Sequence, residues 1–396
     1  MASEPARELL EHVLGRAQAD DDPAAALVLA DAATERADLR LAAAALDRAY
    51  GLQPRDAAVV KRRAEVLDAL ALKEHGLVFR YVPAGSFLMG SGTGDLDEQP
   101  VHPVRTAGFW LSDVPVSWAS YARLMDWDSP PAAGPREEAP SFGLANETRI
   151  RLQYCETETL EASDWHAHAG MAMMGKVSRR NADAPPDYEQ KPMVAVSWQS
   201  AEELGHRLST RTVQYALPTE AEWEKSARGG LIGKPYSWGD EPPDPQRCDS
   251  GHFGQFAIRS PRELPPNGYG LHGMCGGVWE WTADLYDALA YHQRRPPIDA
   301  AAVARVLRGG SFTDDESAVT VSFRMALISA DWRGEGRGRH QAPNVGFRLV
   351  RREGEFALPE PKAAVRRAVP VPPAEAPQQA APKQSWLARL FGTKKK

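Results

Sequence analysis

The spacing of apolar positions changes along the chain and divides it into segments. Over residues 1–75, Leu9, Leu10, Val13 and Leu14 recur at helical intervals, as do Leu41, Ala45, Leu46 and Ala49. Start signals fall between these stripes. Ser3 with Pro5, Asp22 with Pro23, and Asp56 ahead of Val60, Leu67 and Leu70 each predict a helix. The segment holds two glycines, Gly15 and Gly51, and a single aromatic residue, Tyr50, which is helical composition.

From about residue 77 to 352 the period shortens and the punctuation thickens. LVFRYV, GSFLMG, FWLSDVPVS, PMVAVSW, VLRGGSF and VGFRLV read as short strands separated by long Gly/Pro-rich stretches. Helices are predicted at Tyr121–Met125 after Ser117, at Ser200–Leu208, and at Glu220–Arg228, where Thr219 in PTEAEWEKSAR caps the last. Ten of the eleven tryptophans lie between Trp110 and Trp332, and tryptophan packing can order chain that little regular structure supports. In GGVWEWTADLY, Trp279 and Trp281 flank Glu280 as in a strand with one buried face, so Glu280 is expected on the other. Residues 353–384 form a Pro/Ala-rich linker. Residues 385–396, SWLARLFGTKKK, place Trp386, Leu387, Leu390 and Phe391 on one helical face among basic residues, which suits a partner groove or an anionic membrane surface.

Composition narrows the classes. A formal net charge of −6 argues against nucleic acid as a partner. Three cysteines, Cys155, Cys248 and Cys275, are too scattered for a disulfide framework and favour a reducing compartment. With no apolar leader at the start of the sequence and no membrane-length run, the expectation is a cytoplasmic protein.

Two resemblances stand out. The run AAAALDRAYGLQPRDAAVVKRRAEV resembles one tetratricopeptide-type turn, whereas an independent solenoid needs about three repeats, so a small helical cap or dimerisation element reads equally well. Residues 77–352 resemble the formylglycine-generating enzyme, or sulfatase-modifying-factor, family. The marks occur in order: FRYVPAGSFLMGS, DEQPVHPV, KPMVAVSWQSAEEL, YALPTEAEWEKSARGG, YSWGDE, PPNGYGLHGMCGGVWEWTADLY, RVLRGGSF and NVGFRLV. The resemblance implies an α+β fold, irregular and similar to a C-type lectin, preceded here by the all-α segment.

The same resemblance implies chemistry that this chain only partly carries. Family members hold calcium in an oxygen cage. The matching positions are Glu280 with the backbone of Gly276 and Val278, and Asp249 with Ser250 at a second place. Gly277 stands where the family has Asn, and Glu280 could instead be a buried acid paired with Arg308 or Arg348. Formylglycine generators carry two copper-binding cysteines after the Gly-Gly-Ser turn. Here those positions fall on Asp314 and at or beside Val319. Copper(I) needs soft thiolates, so copper and formylglycine generation are not expected, while iron is left open. The iron-dependent hercynine sulfoxide synthases of this family take histidines from an added helical domain, and the helical segment here has only His12 and His75.

Three carboxylates, Asp314, Asp315 and Glu316, follow the turn. A solvated tip or the rim of a ligand-binding face is favoured over a hard-metal site with His340. Related lectin-like domains, including variable proteins diversified by retroelements, vary this region within a fixed frame. Residues 313–342, with Asp314, Asp315, Glu316, Trp332, Arg337 and His340, are the expected surface for a protein or small-molecule ligand. The competing class is a metal- and oxygen-dependent oxidoreductase. His166 with His168, and Cys248 with His252, are weaker pairs that read best as loop residues. Cys275, His206 and His272 are expected to be packing residues.

Overall fold

A computed structural model describes residues 22–125, 190–194, 196–251, 258–292, 304–328 and 344–357. Three helices come first: α1 (Pro23–Glu35), α2 (Leu39–Leu52) and α3 (Ala57–Ala69). Asp22, Asp38 and Asp56 cap them by accepting from backbone N–H groups of the first turn, and Pro23 opens α1 where its missing N–H costs nothing. Ala26, Leu29, Ala30 and Ala33 of α1 are buried, as are Ala45, Leu46 and Ala49 of α2. Val60, expected among the packing residues of α3, is 41% exposed. Its neighbour Val59 takes the inward position and packs with Ala26 and Ala49, a rotation of about 100° that the sequence pattern left open.

The strands and remaining helices follow as β1 (Leu72–Glu74), β2 (Leu77–Val82), β3 (Gly85–Met89), β4 (His102–Thr106), β5 (Phe109–Ser112), α4 (Trp118–Leu124), α5 (Trp198–Leu208), β6 (Val213–Ala216), α6 (Glu220–Arg228), β7 (Trp279–Leu285), β8 (Ala304–Arg308), β9 (Met325–Ile328), β10 (Val345–Gly346) and β11 (Val350–Glu353). One sheet has the order β1-β2-β5-β11-β6, a second β10-β7-β8-β9, and β3-β4 is a separate pair. Every pairing is antiparallel except β10 with β7. The architecture is α+β. Because β1 already pairs with β2, the helical segment ends after α3 rather than at residue 75.

That segment is fastened to the sheets by buried polar contacts. Arg63, almost fully buried, donates to Asp47, to the Gly268 carbonyl at 2.5 Å and to the Gly229 carbonyl at 3.0 Å. Tyr269 donates to the other Asp47 oxygen at 2.8 Å, and the Trp110 indole donates to Leu70 O at 2.8 Å. Among the described residues, no helix is long and apolar enough to cross a membrane.

Helix α6 is the polar spine of the core. Thr219 and Glu222 form a reciprocal capping box, and Gly229 ends the helix in the left-handed conformation. On its buried face, Glu224 Oε1 accepts from Gly90 N–H at 2.8 Å and from Arg228 Nη2 at 2.6 Å, while Oε2 pairs with Arg308. One turn earlier, Glu220 accepts from Arg324 Nε at 2.6 Å. Burial alone would raise the Glu224 carboxyl, but Arg308, Arg228 and the Gly90 N–H together hold it below the usual carboxylate range.

Candidate functional site

Arg308-Gly309-Gly310-Ser311 leaves β8 through a turn in which both glycines have positive φ, 103° and 71°. A Cβ on Gly310 would sit 2.6 Å from Ala318 O and 2.8 Å from Val319 Cγ1, so only glycine lets the chain after the turn fold back onto it. The turn is stitched on both sides. Gly276 N–H donates to Gly309 O at 2.7 Å, Phe312 N–H to Gly277 O at 2.8 Å, and Gly251 N–H to Asp314 O at 2.8 Å.

Its polar side chains bond to one another. Asp314 accepts from Ser311 N–H at 3.0 Å and from the Ser311 hydroxyl, and Trp279 also bonds to it. Asn344 Nδ2 donates to Ser311 Oγ and to Thr313 Oγ1, both at 3.0 Å. Burial pushes the Asp314 carboxyl up from its ordinary 3.8, against the pull of the Ser311 and Trp279 hydrogen bonds. The expectation of an open carboxylate triplet therefore needs correction. Asp314 is half-buried and serves its own turn, and only Asp315 and Glu316 face solvent. Val319, at or beside the second thiolate position, is fully buried. Trp332, Arg337 and His340 lie outside the described residues, as do the His166/His168 pair, His252, Cys155 and the 385–396 tail.

Beside the acidic tip is a pair of aromatic residues that the sequence reading passed over. Tyr236 and Trp238 stack with centroids 5.1 Å apart and planes 5° from parallel. Burial and then the Glu316 charge push the Tyr236 hydroxyl up, and Val321 N–H donates to Pro235 O at 2.9 Å, which ties the chain after the acidic tip to the segment that carries the rings. YSWGDE supplies both rings, but they stack across a tight turn in which Tyr236 and Gly239 exchange backbone hydrogen bonds, a geometry that the i, i+2 spacing alone does not specify.

The carboxylates proposed for calcium are occupied by arginine. β7 is buried on both faces, so Glu280 lies in the core beside Trp279 and Trp281 rather than on an open face. Its Oε2 accepts from Arg348 Nε and from the Trp223 indole, each at 2.7 Å, and its Oε1 accepts from Arg348 Nη2 at 2.8 Å. Of the two arginines considered, Arg348 is the partner, and Arg308 pairs with Glu224. Asp249 accepts from Arg259 Nε at 2.6 Å and from Arg259 N–H at 3.0 Å, and Ser250 Oγ donates to Asp314 O at 2.7 Å. A dication added at either carboxylate would meet a guanidinium already in contact with it, so this donor set does not fit calcium. Gly276 N–H donates to Gly309 O, and the Val278 side chain is in the core. Among the described residues, no three His, Cys, Asp or Glu side chains group to hold a metal ion.

Cys248 and Cys275 are both buried and free. A Cβ on Gly276 would lie 3.2 Å from Cys248 Cβ, so the two cysteines occupy adjoining backbone segments behind the turn. Burial pushes the Cys275 thiol up to about 11. Burial and then Cys275 push Cys248 up to about 12. Neither is an activated nucleophile. A cavity of about 460 Å³ opens elsewhere, between the helical segment and β3, with Leu29, Phe87, Lys225 and Arg228 in its walls. Lys225 there donates to Pro83 O, Gly85 O and Thr106 Oγ1, so its ammonium serves the wall itself.

Comparison with known proteins agrees with this frame. Formylglycine-generating enzyme from Streptomyces coelicolor is 32% identical over 295 residues, 68% of this chain and 87% of that protein. Its counterpart from Thermomonospora curvata is 32% identical over 263 residues, 60% of this chain and 82% of that protein. The solved structure of PvdO from Pseudomonas aeruginosa superposes with a TM-score of 0.50 at 19% identity, covering 72% of this chain and 98% of that one, a likeness of fold. The fold is the irregular, C-type-lectin-like one of formylglycine-generating enzymes. Residues 72–353 match the sulfatase-modifying factor enzyme 1-like domain, and the chain belongs to that family.

Proposed function

We propose that this protein is a family member without the copper chemistry, and that it works by recognition. The observation that carries this reading is the pair of residues at the thiolate positions. Asp314 is a hard oxygen donor engaged with Ser311, and Val319 is an apolar core residue. Neither can hold copper(I). What remains is a rigid glycine turn presenting Asp315 and Glu316 beside the Tyr236–Trp238 stack, on a frame that can tolerate variation in residues 313–342. The acidic tip and ring faces suit a protein or small ligand with cationic groups. A cysteine-peptide assay with copper(I) and oxygen tests the negative half, and no aldehyde should form. The positive half is tested on peptide and glycan arrays, where Asp315→Ala with Glu316→Ala should reduce wild-type binding by about tenfold or more. Aldehyde formation, or array binding unchanged in the double variant, would reject the reading.

A second reading, a metal- and oxygen-dependent oxidoreductase, draws on the adjoining thiols of Cys248 and Cys275 behind the same turn. It predicts one copper(I) per chain, lost in Cys248→Ser with Cys275→Ser. The high thiol pKa values weigh against it.

A further inference from the structure

Each of the two carboxylates that the family resemblance assigns to calcium is the centre of an oxygen cage, and each cage contains a guanidinium. Around Arg348 the cage comprises both oxygens of Glu280, the Ser112 carbonyl at 3.0 Å and the His272 carbonyl at 2.9 Å, with Gly273 O more distant at 3.5 Å. Both Arg348 and Glu280 are completely buried. Around Arg259 the cage comprises the Asp249 carboxylate, Pro245 O at 2.7 Å and Cys248 O at 3.2 Å. One carboxylate plus converging carbonyls is the donor chemistry of a hard cation, yet these N···O distances are those of charge-assisted hydrogen bonds.

From this we infer that Arg348 and Arg259 occupy the carboxylates to which a structural cation would bind, and that the domain is ordered without calcium. Charge balance gives the reason. Each cage holds one negative charge, which one guanidinium neutralises. A dication added beside the arginine would leave two uncompensated positive charges next to a single carboxylate. Geometry contributes as well. The planar fork of arginine can reach a carboxylate and several carbonyls from one covalently attached group, so the cage is filled at the moment of folding and no ion has to be recruited. The two cages also flank the glycine turn. Asp249 O accepts from Gly277 N–H at 2.9 Å, and β7 carries Glu280 directly after that segment. The arginines therefore hold the floor under the proposed recognition face.

Melting of the full chain in excess chelator and in millimolar calcium tests the inference. Equal melting temperatures, with no calcium retained after purification, are expected. A rise of several degrees with calcium, or one calcium retained per chain, would overturn it, since an ion that binds only the native state stabilises by mass action. Arg348→Ala removes a fully buried group and risks loss of the fold, so the half-exposed cage provides the second arm. Arg259→Ala empties that cage but leaves Asp249 and the two carbonyls. It should melt lower in chelator and recover part of the loss when calcium is added. A variant that melts with the wild type, or one equally destabilised with and without calcium, would show that Arg259 holds no cation position.

Discussion

Arg308 and Glu224 form an ion pair with no solvent exposure on either side chain, joining the strand that leads into the glycine turn to the face of α6. Arg308 also donates to the carbonyls of Val321, Ser322 and Phe323, and Arg228 bonds to the same glutamate, so the charges are paired and their remaining donors largely used. The turn is aimed by this pair rather than by its own residues alone.

Glu224→Gln removes the carboxylate between two buried guanidiniums and leaves Arg308 only the longer contact to Glu220 at 3.6 Å. We expect a loss of about 3–5 kcal/mol, measurable by urea denaturation at pH 7. Acid should act on the same group. The folded-state pKa of Glu224 lies below its ordinary value of 4.5, so its stabilisation is present above that value and is lost as pH falls through the folded pKa. The variant should show a shallower fall in stability below pH 4.5, and an unchanged slope would count against the pair.

Asp314 has the opposite sign. Burial raises its folded pKa above 3.8, so the folded protein holds that proton more tightly than the unfolded chain does. Its contribution is greatest at low pH and declines as pH climbs through the folded pKa. Asp314→Asn keeps an acceptor for Ser311 N–H without the buried charge, and at pH 7 it should be neutral or stabilising by up to about 1 kcal/mol. Asp314→Ala removes the acceptor and should cost about 1–2 kcal/mol. Equal losses in both variants, read from paired thermal melts, would argue that the carboxylate itself is required.

Arg63→Ala should detach the helical segment from the strands. The guanidinium fills a position between α3, Asp47 and the carbonyls of Gly229 and Gly268, and its removal leaves the partly buried Asp47 carboxylate with Tyr269 but without its cation. A loss of about 3–5 kcal/mol is expected, with faster amide exchange in α1–α3 than in β7. A variant as stable as the wild type would mean that the segment is only loosely attached.

Native Cys248 and Cys275 should resist an aromatic disulfide reagent at pH 8, because burial holds their thiols near 12 and 11 and keeps the thiolate scarce. Both should label at once in denaturant. Rapid native labelling of either, located by peptide mass, would contradict the sealed packing behind the turn.

Local signals in the sequence told truly where a few residues decide the structure. Thr219 and Glu222 carry both halves of a capping box, so α6 was readable to the residue. Gly309 and Gly310 mark a turn that no other residue could make. Long-range choices were not readable. Glu280 sits opposite Arg308 in the β7–β8 register, which would favour that pair, yet Arg308 turns to Glu224 and Glu280 takes Arg348 from outside the strand pairing. The spacing of charges along a chain cannot say which arginine reaches which acid once both faces of a strand are covered. The same limit hid Asp314, whose run of three acids looked solvated until the hydroxyl of Ser311 and the N–H above it drew the first one inward.

The strand order has a consequence during synthesis. β11 lies between β5 and β6 and, among the described strands, it alone bonds to both. A nascent chain that has emerged as far as the glycine turn therefore has the three-stranded piece β1-β2-β5 and an unpaired β6, whereas the helical segment can already pack within itself. Until Val350–Glu353 leaves the ribosome, the edges of β5 and β6 stay open to wrong partners, and a chaperone that covers them would find its longest task in that interval.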